Sequence, residues 1–253
     1  MCLIALAFET NPDLRLAISS NRDEFYDRPT AAMDWWSSDS ILAGRDLQAG
    51  GTWLGLSRRG RFAAITNFRG HFGPEKPLSR GHLVRDFLTS TAAAADFAAA
   101  VSRQSNRRAG FNLILFDGGS LHYLNNYEQT CYALGPGVYA LSNYQLDCRW
   151  PKVEYARKQL SHNLATPMNA QDRLADLTTL LSERQPYPEK LLPDTGVPHR
   201  WEKILSSPFI VSEGYGTRAC TGVLISNRGE VAVMEKAYND GVLQTSQQFD
   251  FQL

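Results

Sequence analysis

The sequence predicts an α+β chain: a four-layer αββα sandwich, with two stacked antiparallel sheets flanked by helices. Three observations carry this. Strand-like segments come in runs and helical segments in pairs between them, giving strands, two helices, strands, two helices, strands, which is not the strand–helix alternation of a parallel doubly wound sheet. Short turn sequences such as Thr10-Asn11-Pro12-Asp13, Asp117-Gly118-Gly119-Ser120 and Asn227-Arg228-Gly229 join successive strands, so neighbours pair antiparallel. The 253 residues are 43% apolar and 21% charged, enough for a sizeable core, and are read as one domain spanning 1–253.

Residues 2–8 and 14–20 are apolar and read as the first hairpin. Phe25 to Ser40, with Pro29 and the pair Trp35–Trp36, reads as a long loop. Ile41–Gly44 and Gly51–Leu56 read as short strands, and Ser57-Arg58-Arg59-Gly60 turns the chain into a strand over Arg61–Phe68. Ser79 is a candidate N-cap for a helix to Thr89, and a second helix covers Ala92 to Arg103, with Leu83, Phe87, Phe97 and Val101 at helical spacing. Strands follow at Phe111–Phe116, Leu121–Leu124, Cys131–Leu134 and Val138–Leu141. Pro151 opens a helix in its first turn, and another spans Gln171 to Leu181. Four prolines make 185–200 a loop. Strands at Gly216–Ser226 and Val231–Tyr238, and one after Asn239-Asp240-Gly241, close the chain.

Composition narrows the partners. The formal net charge is zero, so no global field draws the protein to nucleic acid or anionic lipid. The basic group Arg103, Arg107 and Arg108 falls where a helix ends, where cations compensate the dipole. Four scattered cysteines without metal spacing indicate a reducing compartment. The opening apolar run meets Glu9 after eight residues, too short for a secretory leader. No run approaches the ~20 residues of a membrane span. A cytoplasmic protein is expected, with no metal and no required cofactor.

The chemistry concentrates in the first two dozen residues. Cys2 heads an apolar strand, and the hairpin returns the chain to the same end at Asn21, Arg22, Asp23 and Glu24. If Met1 is removed, Cys2 carries both a thiol and an α-amine that titrates near ~8 and can act as its base. A buried small hydrophobe is the alternative for Cys2, and a solvated turn is the alternative for the tetrad. Asn67 and Asn143 each fall at the end of a strand, where site residues gather.

The opening MCLIA, the tetrad NRDE, GRDLQAGGTWLG (Gly44–Gly55), RFAAITNFR (Arg61–Arg69), LSN, WPKV and YGTR together resemble the NRDE family, the transport and Golgi organisation protein 2 family. That family is similar in turn to the N-terminal nucleophile hydrolases of the choloylglycine hydrolase and penicillin acylase branch. The resemblance implies Cys2 as nucleophile, Asp23 bonding its amine and thiol, Asn67 as an oxyanion donor, Asn143 binding the amine, and Arg218 against the nucleophile. The branch carries an Arg where this chain has Ser20, with Arg22 two residues away, so substrate handling does not transfer. Family membership also implies intracellular haem trafficking or lipid and acyl-coenzyme A homeostasis. The expected function is therefore handling of an amphipathic small molecule, haem first and acyl-coenzyme A or lipid next. Asn21, Arg22, Glu24, Trp53 and His71 are the candidate ligand-binding residues. The alternative is a Cys2-dependent amidase or acyltransferase acting on a linear amide, and a purely structural module is the third reading.

Overall fold

The computed structural model describes residues 2–36, 40–69 and 78–253. In chain order the elements are β1 (Cys2–Phe8), β2 (Leu14–Phe25), β3 (Thr30–Trp36), β4 (Ile41–Asp46), β5 (Leu54–Ser57), β6 (Phe62–Asn67), α1 (Gly81–Thr89), α2 (Ala94–Ser102), β7 (Phe111–Phe116), β8 (Leu121–Asn125), β9 (Thr130–Leu134) and β10 (Gly137–Leu141). Then come α3 (Pro151–Ala165), α4 (Ala170–Leu177), α5 (His199–Ile204), β11 (Val211–Ser212), β12 (Tyr215–Ser226), β13 (Glu230–Asn239) and β14 (Val242–Gln252). Two compact units result, one from the chain up to Asp27 together with Pro136–Gln252, the other from Arg28–Gly135.

The first unit holds an antiparallel sheet in the order β10-β1-β2-β12-β13-β14, with β11 paired to β12. Strand β1 is buried along its whole length, so it reads as a continuous apolar run, not an alternating one. Its two faces differ in bulk. Leu3, Ala5 and Ala7 join Ala17 and Ala140 in a core with Val153, Ala156 and Leu160 of α3 and Leu174 and Leu177 of α4. Alanines on that face let the helices approach closely. Cys2, Ile4, Leu6 and Phe8 point the other way, because strand side chains alternate.

The second unit is a meander, β3 through β9 in sequence order. Ile41, Ala43, Ala63, Ile65, Phe111, Leu113 and Leu115 form a core with Leu83, Val84, Phe87 and Leu88 of α1 and Ala94, Ala98 and Val101 of α2. Arg61 is buried at the end of α1: its Nε donates to Phe87 O at 3.1 Å and its Nη2 to Ala92 O at 2.7 Å, with the guanidinium 3.9 Å from the Phe87 ring centre. It adds to the bonds that the Ser90 amide and hydroxyl already make to Phe87 O, and holds the link between α1 and α2 at Ala92.

Several local expectations change. The tetrad is no turn: β2 runs through Asn21–Glu24, since β12 pairs it as far as Phe25. Part of the expected Phe25–Ser40 loop is strand β3, paired to β4 with a register shift between Ala31 and Asp34. Ser79 does not cap α1, which starts at Gly81 with Arg80 at the cap position and no side-chain cap bond. Helix α4 ends at Leu177, with Asn169 accepting from the Asp172 amide at its start. Helix α5 was hidden by the proline-rich composition before it; Pro198 occupies its N-cap. His71 lies outside the described residues.

Candidate functional site

Strand register builds the site. Cys2 pairs with Arg22 across β1–β2, so the two side chains share a face of the sheet. Because β2 outruns β1, Asp23, Glu24 and Phe25 project past the Cys2 end and are held there by β12. Thr217 pairs with Asp23 and Ala219 with Arg22, which leaves Arg218 as an extra residue in a β-bulge.

Asp23 is anchored by that pairing. Thr217 Oγ1 lies 2.7 Å from Asp23 Oδ1, and the Ile210 amide donates to the same Oγ1 at 2.9 Å. A hydroxyl that accepts from an amide must turn its own proton to the carboxylate. Both side chains are almost fully buried. The bulged Arg218 donates through Nη1 to Phe25 O at 2.8 Å and Tyr26 O at 3.0 Å. These bonds hold the end of β2 as it turns away from the sheet.

Asn143 is fully buried, just beyond β10. Its neighbour Ser142 places Oγ 3.2 Å from Cys2 O and 3.3 Å from Asn143 Oδ1. Ser142 Oγ therefore lies between two acceptors, the Cys2 carbonyl and the Asn143 side-chain oxygen, and its one proton serves either. Asn21 has a different job: its Nδ2 donates to Leu181 O and Pro208 O, joining β2 to the segments after α4 and α5. Glu24 accepts from the Phe25 amide at 3.0 Å, and its Oε2 is 3.9 Å from Arg22 Nη2.

The electrostatics of Cys2 are those of a shielded thiol. It is 6% exposed. Burial pushes its pKa up and the N-terminal ammonium opposes this; the carboxylates of Asp23 and Glu24 raise it further, and the Arg22 guanidinium lowers it. Cys220, on β12 two strands away, is likewise pushed up by burial and by Asp23 and Glu235. Among the described residues, no group of three or more His, Cys, Asp and Glu side chains is arranged to hold a metal. An open polar cleft of about 450 Å³, lined by Glu9, Thr10, Asn11, Pro12, Arg15 and Asn227, lies at the turn end of the first hairpin, away from Cys2.

Six sequence candidates, Cys2, Arg22, Asp23, Glu24, Asn143 and Arg218, thus gather at one end of the first unit's sheet. Asn67 and Trp53 belong to the second unit. Asn67 ends β6 half-buried, opposite Phe111. Trp53 is 8% exposed, and a Cβ on Gly44 would come within 2.2 Å of its Cη2, so the indole lies directly on the Gly44 backbone. Two participants were missed: Thr217 and Ser142. Each stood inside a quoted motif, YGTR or LSN, one residue before the side chain singled out. The motif WPKV also gains a meaning. Lys152 is buried and donates to Leu205 O at 2.7 Å, at the C-terminal end of α5.

The fold is that of the N-terminal nucleophile hydrolases. A Caenorhabditis elegans N-acylethanolamine-hydrolyzing acid amidase ortholog superposes with a TM-score of 0.50 over 88% of this chain and 92% of that chain, at 12% identity. Residues 1–240 match the family model for Transport and Golgi organisation 2. The Transport and Golgi organization 2 homolog of Mus musculus is 33% identical, covering 95% of this chain and 94% of that protein. Its Homo sapiens counterpart is 32% identical, with the same coverage on both sides. The chain belongs to the Transport and Golgi organisation 2 family.

Proposed function

We propose that the protein binds and hands on an amphipathic small molecule at the Cys2 end of the first sheet and does not run a hydrolytic cycle there. Haem is the first candidate and an acyl-coenzyme A or related lipid the second. The observation that carries this reading is the state of Cys2: a catalytic thiol needs a lowered pKa and access, whereas this one is buried and pushed up. The buried Arg22, with Glu24 and Arg218 near it and apolar strand residues beside them, suits a ligand with a charged end and an apolar body. The family's name, transport and Golgi organisation, agrees with handling over turnover. A cytoplasmic setting belongs to the same proposal. Among the described residues no helix is long and apolar enough to cross a membrane.

Equilibrium titration with haem and with an acyl-coenzyme A tests the reading. Binding of one of them tighter than about 10 μM, weakened by Arg22→Ala and by Asn143→Ala, is expected. Failure of both to bind in that range refutes it.

A second reading has its own support. Ser142 Oγ lies within hydrogen-bond distance of both the Cys2 carbonyl and Asn143 Oδ1, and Asp23 is held one register step beyond Cys2. Loss of Met1 would then leave an amine beside groups able to bind it, and the acid amidase with the same fold cleaves an amide. On this reading Cys2 is the nucleophile of an amidase or acyltransferase. Intact mass of protein from its native host distinguishes the two: retained Met1 ends the catalytic reading. If Met1 is absent, Cys2→Ser and Asp23→Ala should each abolish amide turnover.

A further inference from the structure

Residues 205–210, between α5 and β11, belong to no helix or strand, yet all of them are buried. Such segments ordinarily run over the surface, because inside a protein each main-chain N–H and C=O must find a partner. The partners here are specific. Leu205 O accepts from Lys152 Nζ at 2.7 Å, and Pro208 O accepts from Asn21 Nδ2 at 3.0 Å. The Phe209 amide donates to Glu183 O at 2.8 Å. The Ile210 amide donates to Thr217 Oγ1 at 2.9 Å, and the Thr217 amide donates back to Ile210 O at 2.8 Å. One end of the segment is thus fixed by Lys152. The other orients Asn21 and Thr217, whose hydroxyl meets the Asp23 carboxylate. Between the ends the chain is stiff: Pro208 has a fixed φ, and Ser206 Oγ accepts the Tyr187 amide while donating to Lys203 O.

We propose that Lys152 is a positioning residue for the Cys2 end of the sheet. Its ammonium fixes Leu205, the segment carries that constraint to Ile210, and Ile210 holds the Thr217 hydroxyl on Asp23. Asn21 is seated by the same segment through Pro208. Lys152 is a costly residue for packing alone. It is 2% exposed, and burying an ammonium is unfavourable. It also lies in the first turn of α3, where the helix dipole favours anions over cations. An apolar side chain would fill the same space without either penalty, which points to the carbonyl it holds as its role. The proposal rests on the reading that the Cys2 end is the functional site, and it serves ligand handling and amide cleavage alike.

Titration of the Asp23 side-chain carboxyl in the full chain, followed by carbon NMR, tests this. The Thr217 bond favours the ionised carboxylate, so Lys152→Met should move the Asp23 midpoint to higher pH, by about half a pH unit or more. Loss of a positive charge also raises the midpoint through its field alone, and a Thr217→Val background separates the two routes. With the hydroxyl absent, Lys152→Met should move Asp23 no further. An unmoved midpoint in the single variant overturns the proposal, and so does a shift of equal size in the valine background. A second measurement needs no variant. In native-state amide exchange under increasing urea, the Phe209, Ile210 and Thr217 amides should open as one unit with one denaturant slope. Separate openings overturn transmission through the segment. No ligand enters either measurement, so a failed titration with haem and acyl-coenzyme A refutes the proposed function and leaves this result standing.

Discussion

Thr217 holds Asp23 across the β2–β12 ladder, Oγ1 to Oδ1 at 2.7 Å, and the same oxygen takes the Ile210 amide. One buried hydroxyl therefore serves a carboxylate and a main-chain donor together. Thr217→Val keeps the shape and strips both partners, so it should cost about 1–3 kcal/mol. Thr217→Ser should recover most of that in urea unfolding. A valine variant as stable as the parent would show that Asp23 does not depend on this bond.

Cys2 should alkylate slowly. Because burial raises its pKa above the ordinary 9.0, iodoacetamide at pH 7 should modify it more slowly than a free thiol, with the rate still climbing above pH 9. Peptide mapping of modified protein reads this directly. A rate plateau below pH 8 would mark an activated thiolate and favour the catalytic reading.

The buried thiols also shape stability at high pH. Cys2 and Cys220 both have folded pKa values above 9.0. Their protonated forms are the ones the fold accepts, so this contribution is fully present below pH 9.0 and is lost as pH rises toward the folded values. Cys220→Ala should reduce the loss of stability between pH 9 and 10.5 by ~1 kcal/mol. Denaturant midpoints across that interval measure it.

Gly44→Ala should disturb Trp53. The added methyl would overlap the indole, with Cη2 at 2.2 Å, so the ring must move or the strand must shift. A loss of about 1–3 kcal/mol and a changed tryptophan emission are expected.

Lys152→Met should loosen α5. It leaves the Leu205 carbonyl without the ammonium that now lies 2.7 Å away, a charge-assisted bond worth about 1.5–3 kcal/mol. Faster amide exchange across His199–Ile204, more than elsewhere, is the specific sign.

The fold class was legible because its signals are local and repeated. Apolar runs separated by turn chemistry gave the hairpins, and Pro151 fixed the start of α3. Strand β3 was hidden by two features, Pro29 just before it and a register shift within it. Helix α5 was hidden because its six residues follow a run of prolines, and tertiary packing of Trp201 and Ile204 against Leu205, Ile210 and Tyr215 decides its state. At the candidate site, the motifs singled out Cys2, Asp23, Asn143 and Arg218, which strand pairing brings to one end of the sheet. They could not separate Asn21, whose amide is spent on Leu181 and Pro208, from its neighbours. Nor could they reveal Thr217, since its pairing with Asp23 spans 194 positions of sequence.

The extra residue at Arg218 sets the phase of β12. Counted straight through, Thr217 and Ala219 would share a face; with the bulge between them they pair with Asp23 and Arg22, adjacent residues of β2 that face opposite ways. Substitution and deletion at this position are therefore different kinds of change. Replacing Arg218 removes a guanidinium from Phe25 and Tyr26 while Thr217 stays aimed at Asp23. Removing the residue altogether would close the bulge into a regular ladder, with Thr217 still opposite Asp23 and Ala219 opposite Arg22, and would take away the local bend and twist that the extra residue imposes.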